Sequence, residues 1–405
     1  MKKKLSLLCV LIYTLLLNLP SAHAQKSNNQ KAIWKFNIQA PFFASPVVEN
    51  NSIYIGGLDS VFYCLNKSDG RVKWRLKTAG AIRSTAKISG ETIYFFSGDG
   101  TCYALNKNSG NTIWAFQTKN KNYDPFDYYQ SNPLLIDESI IFGSGDGFVY
   151  SLNKTTGKEN WNFKTGDVVH SSPAAYKNKI YINSFDGYTY ALNEKDGTLA
   201  WKFKSVGHRY FPKGEMQFSP VIANGLVFVS GRDYNLYALD AEKGFSHWNK
   251  VFTRGWAPVI TPSPENDSLI YVGTSDDYLL LCLNSLTGRE IWKTNVKFNV
   301  FGACSFRHDT GYVSTLMGTC FSFNRKSGEL YTRYTSTSYD LHHLDYFKTD
   351  DTFRDDIYSI LHSNEDLIEA EYKVGGFYST PSISDDLIFL SSTDGSLYCY
   401  KINVE

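Results

Sequence analysis

Charge of either sign is in short supply as a net quantity in this sequence. Its 405 residues carry 41 Lys and Arg against 40 Asp and Glu, a formal charge of +1. Without a basic excess, binding to nucleic acid by bulk electrostatics is not expected. Glycine (30) and proline (12) are too few for a collagen. Apart from one stretch near the N-terminus, the apolar runs are too short for a polytopic membrane protein. The seven cysteines have neither metal-like spacing nor that of a small disulfide scaffold. What the chain does have is apolar residues (42%), which argue against disorder, and aromatics (16%), which suit half-buried strands.

The N-terminus reads as an address. Lys2, Lys3 and Lys4 precede an apolar stretch from Leu5 to Leu19, and Pro20-Ser21-Ala22-His23-Ala24 supplies the small residues of a cleavage site. This is the pattern of a secretory signal over residues 1–24, cut after Ala24. The apolar part is shorter than the ~20 residues a membrane span needs, so no span is expected after cleavage. Cys9 follows Leu7-Leu8 in mid-stretch, where a lipoprotein cysteine would not stand, so lipidation is not expected. The mature protein, residues 25–405, is then a single exported domain, periplasmic or secreted. Cys64, Cys282 and Cys399 occupy a repeat position elsewhere held by Ala or Ser, and read as small buried strand residues.

A repeat accounts for nearly all of the rest. Tyr63-Cys-Leu-Asn-Lys-Ser-Asp-Gly70 is followed by Trp74, and Tyr103-Ala-Leu-Asn-Lys-Asn-Ser-Gly110 by Trp114. The phrase returns ahead of Trp161, Trp201, Trp248 and Trp292, and in a worn copy ending at Gly328, with Thr332 in the tryptophan place. A second phrase opens each unit: Ser45-Pro46, Ser84-Thr85, Asn132-Pro133, Ser172-Pro173, Ser219-Pro220, Thr261-Pro262, Ala303-Cys304 and Thr380-Pro381. These eight starts meet only seven Gly-to-Trp phrases, and Trp34 stands alone near the N-terminus as an orphan last strand. Each unit reads as four strands with Gly-containing hairpin turns, including Gly98-Asp99-Gly100 and Gly145-Asp146-Gly147. The expectation is an all-β, eight-bladed β-propeller of four-stranded antiparallel blades, with the N-terminal strand closing the last blade. Asp99, Asp146, Asp186 and Asp394 read as turn residues.

The recurring Ala-Leu-Asn-x-x-(Ser/Thr)-Gly-x-x-x-Trp resembles the tryptophan-docking repeat of the PQQ-like, quinoprotein-type propellers. The resemblance covers residues 34–400. It implies that Trp34, Trp74, Trp114, Trp161, Trp201, Trp248 and Trp292 are structural, packing between blades. One branch of that family consists of dehydrogenases that use PQQ and Ca²⁺. The other consists of non-catalytic periplasmic propellers similar to outer-membrane assembly factor B (BamB-like). This chain lacks the adjacent Cys-Cys pair of the dehydrogenases, and its acidic residues match no calcium pattern of theirs. The resemblance therefore implies no enzyme, no cofactor and no metal, and a monomeric scaffold for another envelope protein. A PQQ-dependent dehydrogenase and a carbohydrate-binding propeller are the alternatives.

Binding residues are sought on the loops that join one unit to the next, because variable loops on a rigid scaffold are where binding resides. The long loop after Trp114 offers Tyr128 and Tyr129. The loop after Trp201 offers Arg209, Tyr210 and Phe211, and the loop after Trp248 offers Arg254 and Trp256. Arg83 and His170 precede strand starts and would face the channel mouth. Tyr, Trp and Arg are favoured interface anchors. The same aromatics would also serve to pack the loops down or to stack on sugar rings.

Residues 335–376 form an insertion with ten acidic and three basic residues. Phe353, Ile357, Ile360 and Leu361 have helical spacing, which predicts an amphipathic helix capped by Asp350 or Asp351. Its apolar stripe would bury on the propeller's own face or on a partner, and the acidic segment could act as a lid. His342-His343 with Asp345 is a weak metal pattern, since adjacent histidines rarely share an ion.

Overall fold

The computed structural model describes residues 30–119, 130–265 and 267–402. Tyr128 and Tyr129 lie outside these. Eight separate four-stranded antiparallel sheets follow one another along the chain. Blades 1 to 7 span residues 47–77, 87–117, 134–164, 174–204, 221–251, 259–295 and 305–335. Blade 8 takes three strands from residues 382–401 and its outer strand from Trp34–Asn37, with Trp34 opposite Cys399 and Asn37 opposite Ser396. The chain ends thus zip the ring shut, as the orphan tryptophan strand predicts.

Burial across a blade follows its radial position. The two middle strands, such as Ser52–Gly56 and Val61–Asn66, are buried almost throughout because neighbouring blades cover both faces. That is why they read as continuous apolar runs. The outer strand Val72–Lys77 alternates, with only Trp74 and Leu76 turned inward. A register shift separates the third and outer strands at Cys64/Leu65, and the same shift recurs in blades 2 to 7. Such a bulge bends and twists the outer strand next to its tryptophan.

The indoles cross the seams. Trp74 Nε1 donates to the carbonyl of Lys107 at 3.0 Å, Trp161 to Glu194 at 2.9 Å and Trp248 to Ser285 at 2.9 Å, each in the next blade. Each ring lies on that blade's turn glycine. At Gly157 (φ 70°) an added Cβ would stand 2.6 Å from Trp114 Cδ2, so position and conformation both demand glycine. The asparagine of the repeat shapes the turn: Asn106 Oδ1 accepts from the amides of Asn108 and Ser109, both at 3.0 Å.

One seam differs. Thr332 leaves no indole between blades 7 and 8. Tyr400, where other blades carry Leu or Phe, fills the space; its hydroxyl donates to the Thr335 carbonyl at 2.6 Å, and its ring lies 5.4 Å from that of Tyr334. Gln30 adds a parallel bridge to Tyr334.

The insertion folds differently from its predicted pattern. The outer strand of blade 7 runs to Thr335, and two helices follow, α1 (Thr337–Tyr346) and α2 (Asn364–Lys373). Residues 353–361 hold only a 3₁₀ turn, Ile357–Ser359, and Phe353 pairs with Phe347 in an isolated bridge. Phe353 turns inward because Phe347 and Phe298 receive it, and Ile357 is buried within the 3₁₀ turn, so no helix aligns the two. The caps are Ser336, which accepts from the Tyr339 amide, and Ser363, reciprocated by Asp366. Asp350 and Asp351 cap neither helix. Asp351 (φ 64°) instead receives Arg333 at 2.9 and 3.0 Å and the Tyr339 hydroxyl at 2.7 Å, with His343 Nε2 at 2.8 Å. Burial raises its carboxyl, but these partners outweigh that and hold it far below the ordinary range. The insertion packs on the propeller's own face, Phe347 against Phe298 and Tyr372 against Phe43.

Candidate functional site

The eight strand starts surround the channel, and backbone amides link them to their neighbours' side chains. Thr380 N donates to Ser45 Oγ, Ser45 N to Thr85 Oγ1, Thr85 N to Asn132 Oδ1, Asn132 N to Ser172 Oγ and Ser172 N to Ser219 Oγ, at 2.5–3.1 Å. This satisfies backbone donors that face the channel, and explains why Ser, Thr or Asn recurs at these starts.

Two residues ahead of six of these positions (Ser45, Thr85, Asn132, Ser172, Ala303 and Thr380), the chain presents a side chain to the mouth. Phe43, Arg83, Gln130, His170, Phe301 and Tyr378 line a cavity of about 260 Å³. The two predicted from sequence, Arg83 and His170, therefore share one cavity. The other four went unrecognised, although the fixed register before Ser45, Asn132, Ala303 and Thr380 marks them.

The cavity has an aromatic wall. Tyr378 meets Phe43 edge-on at 4.6 Å and Phe301 at 5.9 Å, and the Arg83 guanidinium stands 5.8 Å over Phe43. The Arg83 amide donates to Gln130 Oε1 at 3.0 Å. Behind this wall, the Tyr378 hydroxyl donates to Glu371 Oε2 at 2.6 Å. Burial pushes the Glu371 carboxyl up to about 7; the Tyr378 hydrogen bond opposes this and the charge of Asp276 adds to it. Asp276, exposed at the surface, is also raised, chiefly by desolvation.

On the opposite side a chain of rings runs from the rim to the cavity. Tyr210, 65% exposed, meets His208 at 5.4 Å; His208 meets Tyr234 at 4.6 Å, and Tyr234 meets Trp256 at 5.8 Å. Trp256 touches Phe211 at 5.8 Å. Arg232 lies 5.6 Å over Phe211 and 5.5 Å over Phe185, which meets His170 at 5.6 Å. Arg209 stacks 4.4 Å over Tyr210. Of the predicted loop residues, Arg209, Tyr210, Phe211 and Trp256 thus come together, with Tyr210 outermost and Trp256 half-buried. Arg254 stays exposed on the same loop as Trp256. Tyr234 and Arg232 escaped sequence reading because they sit in a strand-connecting turn, not in a long loop.

Among the described residues, no three His, Cys, Asp or Glu side chains converge as metal ligands, and the Asp345 carboxylate that meets His342 Nδ1 at 3.2 Å is paired with Lys373 at 2.9 Å. The six described cysteines are buried and unpaired. No described helix is long and apolar enough to cross a membrane.

The family described as "Outer membrane protein assembly factor BamB" matches residues 22–147 and again 130–255. No curated protein sequence matches. BamB from Moraxella catarrhalis superposes at 13% identity and a TM-score of 0.67, over 92% of this chain and 100% of that one. The quinohemoprotein alcohol dehydrogenase ADHIIG from Pseudomonas putida HK5 superposes at 12% identity and 0.66, over 95% and 78%. Sqt1 from Saccharomyces cerevisiae gives 12% and 0.69, over 93% and 100%. At these identities, the structural likenesses establish the fold.

Proposed function

Because the chain belongs to the family of outer membrane protein assembly factor BamB, we propose that it is an exported, non-catalytic scaffold that binds another envelope protein through the channel-mouth face. The observation that carries this reading is the run of rings from exposed Tyr210, with Arg209 stacked on it, to Phe211, continued through Arg232 to Phe185 and His170. Aromatic and guanidinium groups held by one another lose little freedom on binding, which favours them as anchors. The site's donor set also supports it. A dedicated Ca²⁺ cage needs six to eight oxygens, and the carboxyl nearest the aromatic wall, Glu371, is already engaged by the Tyr378 hydroxyl.

The test is affinity capture from envelope extract with wild-type protein and with Arg209→Ala/Tyr210→Ala. The reading expects one stoichiometric partner, with capture by the variant reduced about tenfold at unchanged melting temperature. Equal capture by both would overturn it. A second reading, a quinoprotein dehydrogenase, draws on the superposition with ADHIIG. Quinone absorbance and dye-linked alcohol oxidation after adding PQQ and Ca²⁺ would favour it, while specific retention on a glycan array would favour the carbohydrate-binding alternative.

A further inference from the structure

Helix α1 turns an unusual face to solvent. Tyr339 and His343 point into the insertion, leaving Thr337, Asp340, Leu341, Leu344 and Asp345 outside. Leu341 and Leu344 are 71% and 60% exposed. Three residues apart, they lie side by side on the helix, with an aspartate before and after the pair. Packing within this chain does not explain them, because the inward side of α1 already supplies its contacts with Arg333 and Asp351.

The same face borders a cleft. Thr337 and Asp340 form one wall of a cavity of about 390 Å³, with Tyr400 and Trp34 also lining it. Lys31 and Lys35 line it too. This cleft lies at the seam between blades 7 and 8, where Thr332 replaces the tryptophan.

Charge indicates what would cover this surface. The insertion has a net charge of −7 over residues 335–376, ten acidic against three basic. Its three cations are already paired: Lys373 with Asp345, Lys348 with Asp355 and Arg354 with Asp356. Asp340, Glu365 and Glu369 have no cationic partner among the described residues and stay exposed. Any occupant of the leucine pair must therefore neutralise acidic charge while offering apolar contact.

We propose that the outward face of α1 is a docking surface for a basic, leucine-bearing segment of a partner protein. Its basic side faces Asp340 and the insertion, away from Lys31 and Lys35. The leucines supply burial, and the acidic border supplies orientation and attraction that salt weakens. The mouth face plays no part in this, so the two proposals fail separately.

The probe is a fluorescent amphipathic peptide built only of leucine and lysine, titrated with the full-length protein at low salt. Binding should weaken about tenfold for Leu341→Ser/Leu344→Ser and for Asp340→Lys. It should strengthen for Lys31→Glu/Lys35→Glu, and fall as salt is raised. All these positions are exposed, and melting curves verify that the variants fold. Unchanged affinity in the leucine variant would overturn the proposal, as would equal binding of a leucine–glutamate peptide. Sedimentation showing a dimer abolished by the leucine changes would contradict it in favour of a second copy as occupant.

Discussion

The indole of Trp34, on the N-terminal strand, lies on Gly70 of the first blade, where a Cβ would come within 2.7 Å of the ring. Its Nε1 donates to the Lys67 carbonyl at 3.2 Å, and Lys67 Nζ in turn reaches Asp385 of blade 8 at 2.9 Å. The last blade is thus fastened to the first by the same dock that joins the other tryptophan-bearing blades to their successors.

Either half of this dock should be costly to change. Gly70→Ala puts a side chain into left-handed backbone, worth about 1–2 kcal/mol, and drives it into the ring. Trp34→Ala should cost about 3–5 kcal/mol. Since both remove one contact, the double variant should lose less than the sum, measured by denaturant unfolding.

Asp351 anchors the insertion to blade 7 through Arg333. Asp351→Asn leaves that guanidinium without its counter-charge and should destabilise the insertion by about 3–5 kcal/mol. Hydrogen exchange should quicken in residues 337–373 and stay slow in blades 2 to 5. The folded carboxyl lies below its unfolded value, so the anchor's contribution is complete above the ordinary Asp range near ~3.9 and is lost on acidification below it.

Glu371 behaves in the opposite sense. Its folded pKa is raised from 4.5 to about 7, so between those values the folded chain holds a proton that the unfolded chain has released. Stability should therefore fall as pH rises through this window and level off above it. Glu371→Gln, which can still accept from Tyr378, should flatten that slope and raise the melting temperature at pH 8. A melting series across the window checks it.

The cysteines should be silent in the native protein. Burial pushes Cys282, Cys304 and Cys399 up to about 12, and all six described thiols are buried. A thiol reagent should react only after unfolding. It should then count six groups in a protein cut after Ala24 and seven in the uncut chain, which also carries Cys9.

The wheel was legible because its determinants are local and repeated. The Asn66 turn, the Gly70 conformation and the Trp74 slot each occupy a fixed place in a short phrase, so the repeat carries the fold. The Trp34 strand was legible by subtraction. The insertion was not, because it occurs once and its pattern misleads: Phe353 and Ile357 have helical spacing, yet Phe353 packs on Phe298 and Phe347 while Ile357 sits in a separate 3₁₀ turn. Its true helix starts were written in the sequence as Ser336 and as Ser363 with Asp366. The two leucines of α1 face outward, which hides that helix from a search for a buried stripe. At the mouth, Arg83 and His170 could be found by residue type. Phe43 and Tyr378 needed the register two places before the strand start, and Glu371 needed the folded insertion.

The most direct test of the binding account is photo-crosslinking in intact cells from two positions, Tyr210 on the mouth face and Lys243 on the opposite face. The account predicts a single protein adduct from position 210 and none from position 243. No adduct from position 210, or the same adduct from both, would contradict it.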